Sequence, residues 1–354
     1  NVVADLSGSV GTSGNNSSAL VVQTIAGGGG FGAKVIGNAN LGMTSSAQGS
    51  ANAGSITFSG SGDQMVTEGN DAPAIVLQTI GGGGGWIGNV GGNATLGATQ
   101  IGSTNAGSID ANVNYTAIQT TGENSTGVLA QAIAGGGGFT GTTTGNVLNL
   151  GGTIASNSTS NAGDVSLTTN ATINTLGLNS AAVIAQSIGG GGGASATSDG
   201  DSIRLGSLST AASSDTLPTI NSGNVSVTNS ANLSTNAVGS IGLLTQSIAG
   251  GGGYVSQTGS EAEYAVTFGS NGEINAAAGD VTVNNSGDQI VTTANYSPTV
   301  VAQSIGGGGG FALLTGKGDG TTQIGSKNNS GTATAGDVSV TVNSLLKTDG
   351  EFST

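Results

Sequence analysis

The chain has 354 residues, of which only 7% are charged, and 19 acids against 5 bases leave a net charge of −14. A surface of that sign repels a polyanion, which argues against nucleic-acid binding. The absence of Cys and His excludes disulfides, thiol chemistry, the usual zinc and haem sites and every triad built on an imidazole base.

No apolar stretch approaches the roughly 18 residues of a membrane helix. The sequence opens on Asn1 rather than Met, so any targeting segment would lie outside it. Solubility must come from Ser, Thr, Asn and Gly. A stacked array suits 354 residues better than a single compact core does.

Six copies of one pattern run from end to end. In chain order, each copy begins with a large apolar residue followed two positions later by threonine. These pairs are Val10 and Thr12, Met65 and Thr67, Ile118 and Thr120, Ile173 and Thr175, Leu233 and Thr235, and Ile290 and Thr292. Five residues after the threonine stands Ser17, Ser125, Ser180, Ser240 or Ser297, with Ala72 in the second copy. Eleven residues after the threonine, a short apolar run carries Gln23, Gln78, Gln131, Gln186, Gln246 or Gln303.

Each glutamine leads, through Ile, into a run of glycines. An aromatic residue follows the run at Phe31, Trp86, Phe139, Tyr254 and Phe311, but Ala194 takes that place in the fourth copy. Next comes a large apolar residue with glycine, as in Leu41-Gly42, Leu96-Gly97 and Leu150-Gly151. The copy closes on a block of the form A/S-G-D/S/N-I/V-x-V, with glycines at Gly54, Gly107, Gly163, Gly223, Gly279 and Gly336. Successive glutamines are 55, 53, 55, 60 and 57 residues apart, a period that marks a solenoid.

Within each copy, short alternating stretches rich in β-branched residues lie between Gly, Asn and Asp, and nothing falls at helical spacing. The expected fold is therefore all-β: a parallel β-helix, or β-solenoid, forming one continuous array over residues 1–354. The blocks divide a repeat into thirds of about 18 to 20 residues, close to one β-helix coil, so about three coils per repeat are expected. That count makes a rod roughly 90 Å long, with strands about 4.8 Å apart. Both ends fall within a repeat, as expected for a segment of a longer array.

The glutamine shares one strand face with the aliphatic residues two positions to either side, as in Val301, Gln303 and Ile305. A buried amide needs partners, and the neighbouring glycine backbone is the nearest source, since glycine permits close approach. Glutamine and threonine are thus structural repeat positions. The alternative is an outward polar row that contacts a ligand. The glycines pack either within the coil stack or against a neighbouring rod. The five aromatics either cover the glycine face or are candidates for surface or lateral contact, including contact with glycans.

A phosphate-loop reading of the glycine runs fails, because no Lys-Ser or Lys-Thr follows any of them. Asp164, Asp280 and Asp337 alternate with Ser55, Ser108 and Asn224 at one phase, which fits a turn role shared by Asp, Asn and Ser better than calcium binding. Asp199, Asp201 and Asp319 are weak calcium candidates in Gly/Ser/Asp loops. Arg204 is the only arginine, and Lys34, Lys317, Lys327 and Lys347 do not gather around acids. No cofactor, metal or catalytic residue is expected. Threonine recurring once per three coils would also be too sparse for an ice-binding lattice.

The [VIL]-[ATL]-Q-[ST]-I-[GA]-G-G-G-G block resembles the glycine-rich repeats in passenger regions of very large bacterial autotransporter-type surface proteins. The upstream T-x-G-x-x-S segment, as in Thr175–Ser180, strengthens the likeness, which spans essentially the whole chain. The resemblance implies a β-helical stalk or filament segment at the bacterial cell surface, extracellular, with a role in adhesion or biofilm structure. Its partners would be further copies of itself, laterally or end to end, or matrix glycans. A glycan-binding module on a β-helix is the alternative function, and a polysaccharide-lyase-type enzyme is a third.

Overall fold

The computed structural model describes every residue except 44–48, 100–101, 199–201, 211–215, 258–264, 315–321, 327–330 and 354, and no described residue is helical. All strand pairs are parallel, and each strand pairs with its counterpart one repeat away. Gln23 lies against Gln78, Gln78 against Gln131, Gln131 against Gln186, Gln186 against Gln246 and Gln246 against Gln303. Likewise Ile56, Ile109, Val165, Val225, Val281 and Val338 stand in one register. The fold is the expected parallel β-solenoid.

The coil count is corrected. A repeat forms one wide rung, not three coils, because among the described residues no strand pairs with another strand of its own repeat. In the third repeat the rung comprises strands Ile109–Thr120, Val128–Ile133, Gly137–Thr143, Val147–Leu150, Thr153–Ile154 and Thr159–Asn161. The glutamine strands form a 6-stranded sheet, so first and last are only about 24 Å apart at 4.8 Å per strand. The rod is short and thick.

Four sheets lie in succession across the rung. The inner face of a 12-stranded outer sheet packs Ile56, Phe58, Met65, Ile109 and Ile118 against Leu77, Ala130, Ala132 and Ala185 of the glutamine sheet. The other face of the glutamine sheet sets Val76, Leu129, Ile184 and Leu244 against Trp86, Phe139 and Tyr254 of the glycine–aromatic sheet. That sheet in turn packs Ile87, Val90 and Val255 against Leu96, Leu148, Leu150 and Leu205 of the leucine–glycine sheet. The two central sheets are therefore covered on both faces, and their strands Ile75–Gly81, Val128–Ile133 and Val183–Ile188 are buried throughout.

A wall strand around a single core would alternate apolar and polar, as Ile109–Thr120 does in its first half. A strand buried on both faces carries apolar or small residues on both sides, as VLAQAI does at every position but Gln131. The small residues opposite the glutamine let the outer sheet approach closely.

The glycine run is the turn between the two central sheets. Gly135, Gly136, Gly137 and Gly138 all have φ between 84° and 142°, a range that L side chains rarely adopt. A Cβ on Gly137 would lie 1.9 Å from the carbonyl oxygen of Gly192, so the rungs stack here at a separation only glycine permits. The glycines thus pack inside one rod. The leucine–glycine block closes against the same turn: Ala98 N–H donates to Gly82 O at 2.7 Å and Gly152 N–H to Gly135 O at 2.7 Å.

Candidate functional site

The repeat positions form columns along the axis, and the glutamine column is continuous. Each Nε2 donates to the next Oε1, from Gln23 to Gln78 at 2.7 Å, Gln78 to Gln131 at 2.8 Å and Gln131 to Gln186 at 2.7 Å. It continues from Gln186 to Gln246 at 2.6 Å and from Gln246 to Gln303 at 2.7 Å. The four inner glutamines are fully buried. Where a second donor bond is made it goes to the glycine strand, from Gln246 Nε2 to Gly253 O at 3.3 Å. In a medium of low dielectric, such a chain of amides reinforces itself.

The residue after the glutamine points to the opposite face and ties the glutamine sheet to the A-G corner. Thr79 Oγ1 donates to Gly107 O at 2.6 Å, Ser187 Oγ to Gly163 O at 2.8 Å, Ser247 Oγ to Gly223 O at 2.8 Å and Ser304 Oγ to Gly279 O at 2.8 Å.

The threonines close the turn that precedes the glutamine strand. Thr12, Thr120, Thr175, Thr235 and Thr292 each donate from Oγ1 to the carbonyl of the serine five residues on, at 2.5 to 2.6 Å. The serines link successive rungs. The N–H groups of Ser125, Ser180 and Ser240 donate to Oγ of Ser180, Ser240 and Ser297, at 2.9, 3.0 and 3.1 Å. Ala72 interrupts this column, and in the same rung the buried Thr67 Oγ1 has no partner among the described residues. Thr67, Thr120, Thr175, Thr235 and Thr292 are all fully buried. They recur on every rung, so burial, not sparseness, removes them from contact with ice.

The variable D/S/N position has a single geometry. Its side chain accepts from the backbone N–H of the next rung: Asn1 from Ser55, Ser55 from Ser108, Ser108 from Asp164, Asp164 from Asn224, Asn224 from Asp280 and Asp280 from Asp337. Asp, Asn and Ser all supply the required acceptor. No group of three or more potential metal ligands occurs among the described residues, and Asp199, Asp201 and Asp319 lie outside them.

The aromatic row is corrected. Trp86, Phe139 and Tyr254 are fully buried between the two central sheets. Phe31 is 49% exposed only because it belongs to the first rung, where it meets Trp86 with ring centroids 4.4 Å apart. Phe311, in the sixth rung, lies 6.0 Å from Tyr254 and stacks on it. Trp86, Phe139 and Tyr254 thus fill space above the glycine turn and lie out of reach of a glycan.

One column lacks a motif in the sequence. At the turn before the glutamine strand, Asn16, Asp71, Asn124, Asn179, Gly239 and Tyr296 all have φ between 53° and 73°. Asn124 Nδ2 donates to Asp71 Oδ1 at 3.0 Å, as do Thr142 N–H at 2.9 Å and Thr142 Oγ1 at 3.0 Å. Asp71 is only 4% exposed. Burial pushes its carboxyl above the ordinary carboxylate range, and the bonds from Asn124, Thr142 and Asn89 offset only part of that rise. The one sequence signal for this column was the Asn/Asp preference for left-handed backbone.

Arg204 is partly buried in the leucine–glycine sheet, where Nε donates to Asn149 Oδ1 at 3.3 Å and burial lowers its pKa. Two grooves lie at the first rung, one along Gly29–Gly32 and Asn40–Gly42, the other beside Thr12 and Glu68. Neither brings an acid and a base together. Searches against protein-family models, curated proteins and solved structures each return no match to this chain.

Proposed function

We propose that this chain is a non-catalytic structural element, a thick β-solenoid segment of an extracellular bacterial adhesin, filament or biofilm matrix. One observation carries the reading: residues shared by the repeats point inward and bond to their own copies. The glutamine and serine columns, the glycine turn and the aromatic row are consumed in stacking rung on rung, and the threonines in closing a turn within each rung. Outward positions vary, as in the register Thr57, Asp110, Ser166, Ser226 and Thr282. A binding or catalytic surface replicated six times would hold outward residues constant instead.

Geometry also shapes the mechanical role. At about 4.8 Å per rung, each repeat of 53 to 60 residues adds little length, so the rod favours stiffness over reach. Such a segment suits a load-bearing fibre or matrix element better than a long spacer. The resemblance of the glutamine–glycine block to surface-protein repeats supports the extracellular location and association with further copies.

Glycan arrays and a panel of polysaccharide substrates, read with the purified chain, test the proposal. The expected result is no retained glycan and no product. Saturable binding or turnover would sink it, and loss of that activity when the outward Ser and Thr residues of the outer sheet are replaced by Ala would place the site on that face.

A further inference from the structure

We propose that Asn271–Gly272 is a self-modifying site, at which the folded rod converts an asparagine to aspartate and isoaspartate without a partner protein. Asn271 is the only asparagine in the chain followed by glycine. In the reaction the backbone nitrogen of Gly272 attacks Cγ of Asn271. The Cγ–N bond of the side-chain amide breaks, the amide nitrogen leaves as ammonia, and a five-membered succinimide remains. Water then opens the ring at either carbonyl, giving aspartate or isoaspartate. Nothing beyond water is consumed.

Three features of the fold favour this residue. Asn271 is exposed, and its side chain makes no hydrogen bond to any described residue. The ladder asparagines differ: Asn105, Asn161 and Asn221 each donate to the asparagine of the preceding rung at 2.6 to 2.9 Å. The Gly272 N–H donates to no described residue either, so the nucleophile is free. Gly272 has φ of +132° and no Cβ to crowd the approaching carbonyl.

The location gives the reaction a structural consequence. Asn271 forms a lone parallel bridge with Leu208; its N–H donates to Ser207 O at 3.2 Å, and its carbonyl accepts from Ser209 N–H at 3.0 Å. The aspartate product keeps that carbonyl and adds one negative charge two residues from Glu273. The isoaspartate product routes the chain through Cβ and Cγ, and turns the accepting carbonyl into a free carboxylate. The bridge between the fourth and fifth rungs is then remade with a chain longer by one carbon.

Incubating the folded 354-residue chain in mildly alkaline heavy-oxygen water, followed by peptide mapping with electron-transfer fragmentation, tests this. Residue 271 should take up heavy oxygen and appear as both products, roughly tenfold faster than any Asn–Ser site, because only glycine leaves the attacking nitrogen uncrowded. The G272A chain, checked for native circular dichroism, should lose that advantage. An unmodified Asn271, a rate no higher than at the Asn–Ser sites, or a folded rate far below that of the urea-unfolded chain would each overturn the proposal.

Discussion

The glutamine column and the corner column climb the same six rungs, yet one keeps a single residue while the other passes through Asn16, Asp71, Asn124, Asn179, Gly239 and Tyr296. Their surroundings account for the difference. Each inner glutamine lies between two sheets, with donor and acceptor both engaged by its own copies, so no other side chain completes the line. The corner requires only a left-handed backbone and tolerable contact with the next strand. An amide, a carboxylate, a missing side chain and an aromatic ring all meet that requirement. In a stacked rung, a residue is fixed by how many of its neighbours are copies of itself.

The strongest test of that contrast lies in the glycine wall beside the glutamines. The substitution Gly137→Ala puts a Cβ 1.9 Å from Gly192 O and should cost about 3 kcal/mol or more, since neither backbone can yield without breaking the ladder. Gly30→Ala, in the first rung, meets nothing within 4 Å. It should cost only about 1 to 2 kcal/mol for its left-handed backbone. Urea midpoints of the two variants give the difference directly. Equal losses would mean that backbone conformation, not rung contact, requires glycine.

The columns themselves should differ next. Gln131→Leu strands the Nε2 donor of Gln78 and the Oε1 acceptor of Gln186, at about 1 to 3 kcal/mol for each buried group. Asn179→Gly reproduces what the fifth rung already carries at Gly239. It removes one acceptor from Ser256 Oγ and should cost about 1 kcal/mol. Comparable losses at the two sites would refute the idea that the columns are held differently.

A smaller effect tests the serine column. Ala72 N–H still donates to Ser125 Oγ at 3.0 Å, but alanine offers no Oγ to Ser17 N–H, and Ala72→Ser should supply that acceptor and gain about 1 kcal/mol. Ser180→Ala takes the same acceptor from Ser125 N–H while Ser180 N–H keeps Ser240 Oγ, and should lose a similar amount. Calorimetric unfolding of both variants checks the pair, and a destabilising Ala72→Ser would show that the second rung has repacked around alanine.

Much of this arrangement was legible in the residues. The period, the strands and the inward glutamine followed from recurrence and alternation, whereas the role shared by Asp, Asn and Ser is to accept from the next rung's N–H and not to form a turn. The coil count did not follow either, although its signal was present. Identical residues stack to form ladders, and like residues recur only once per repeat, so the pairing partner of Gln131 had to be Gln78 or Gln186 and not a residue in its own repeat. The continuous apolar run of VLAQAI also marked a strand buried on both faces. The aromatics after the glycines were misplaced for the same reason: a single-core coil has an outside at that point, whereas a four-sheet rung does not. The corner column was hidden because a left-handed φ constrains backbone more than side chain.

Asp71 shows what such drift does to stability. Its carboxyl is raised above the ordinary range, mainly by burial, so the folded chain holds that proton more tightly than the unfolded chain does. Between the ordinary and the raised pKa the folded state binds more protons, and its stability falls as pH rises through that window. Above the window the loss stays in place, and the rod then carries a buried carboxylate where its neighbours carry amides. Asp71→Asn keeps an acceptor for Asn124 Nδ2 and Thr142 N–H. It also supplies a donor beside Asn16 Oδ1, a buried atom with no partner among the described residues. The variant should unfold at higher urea than the parent above that window, and the two midpoints should converge as pH falls through it. Every other carboxylate is common to both chains and cancels in the difference. A variant weaker above that window would mean that the bonds from Asn124, Thr142 and Asn89 outweigh desolvation, and that the corner selects the charge it holds.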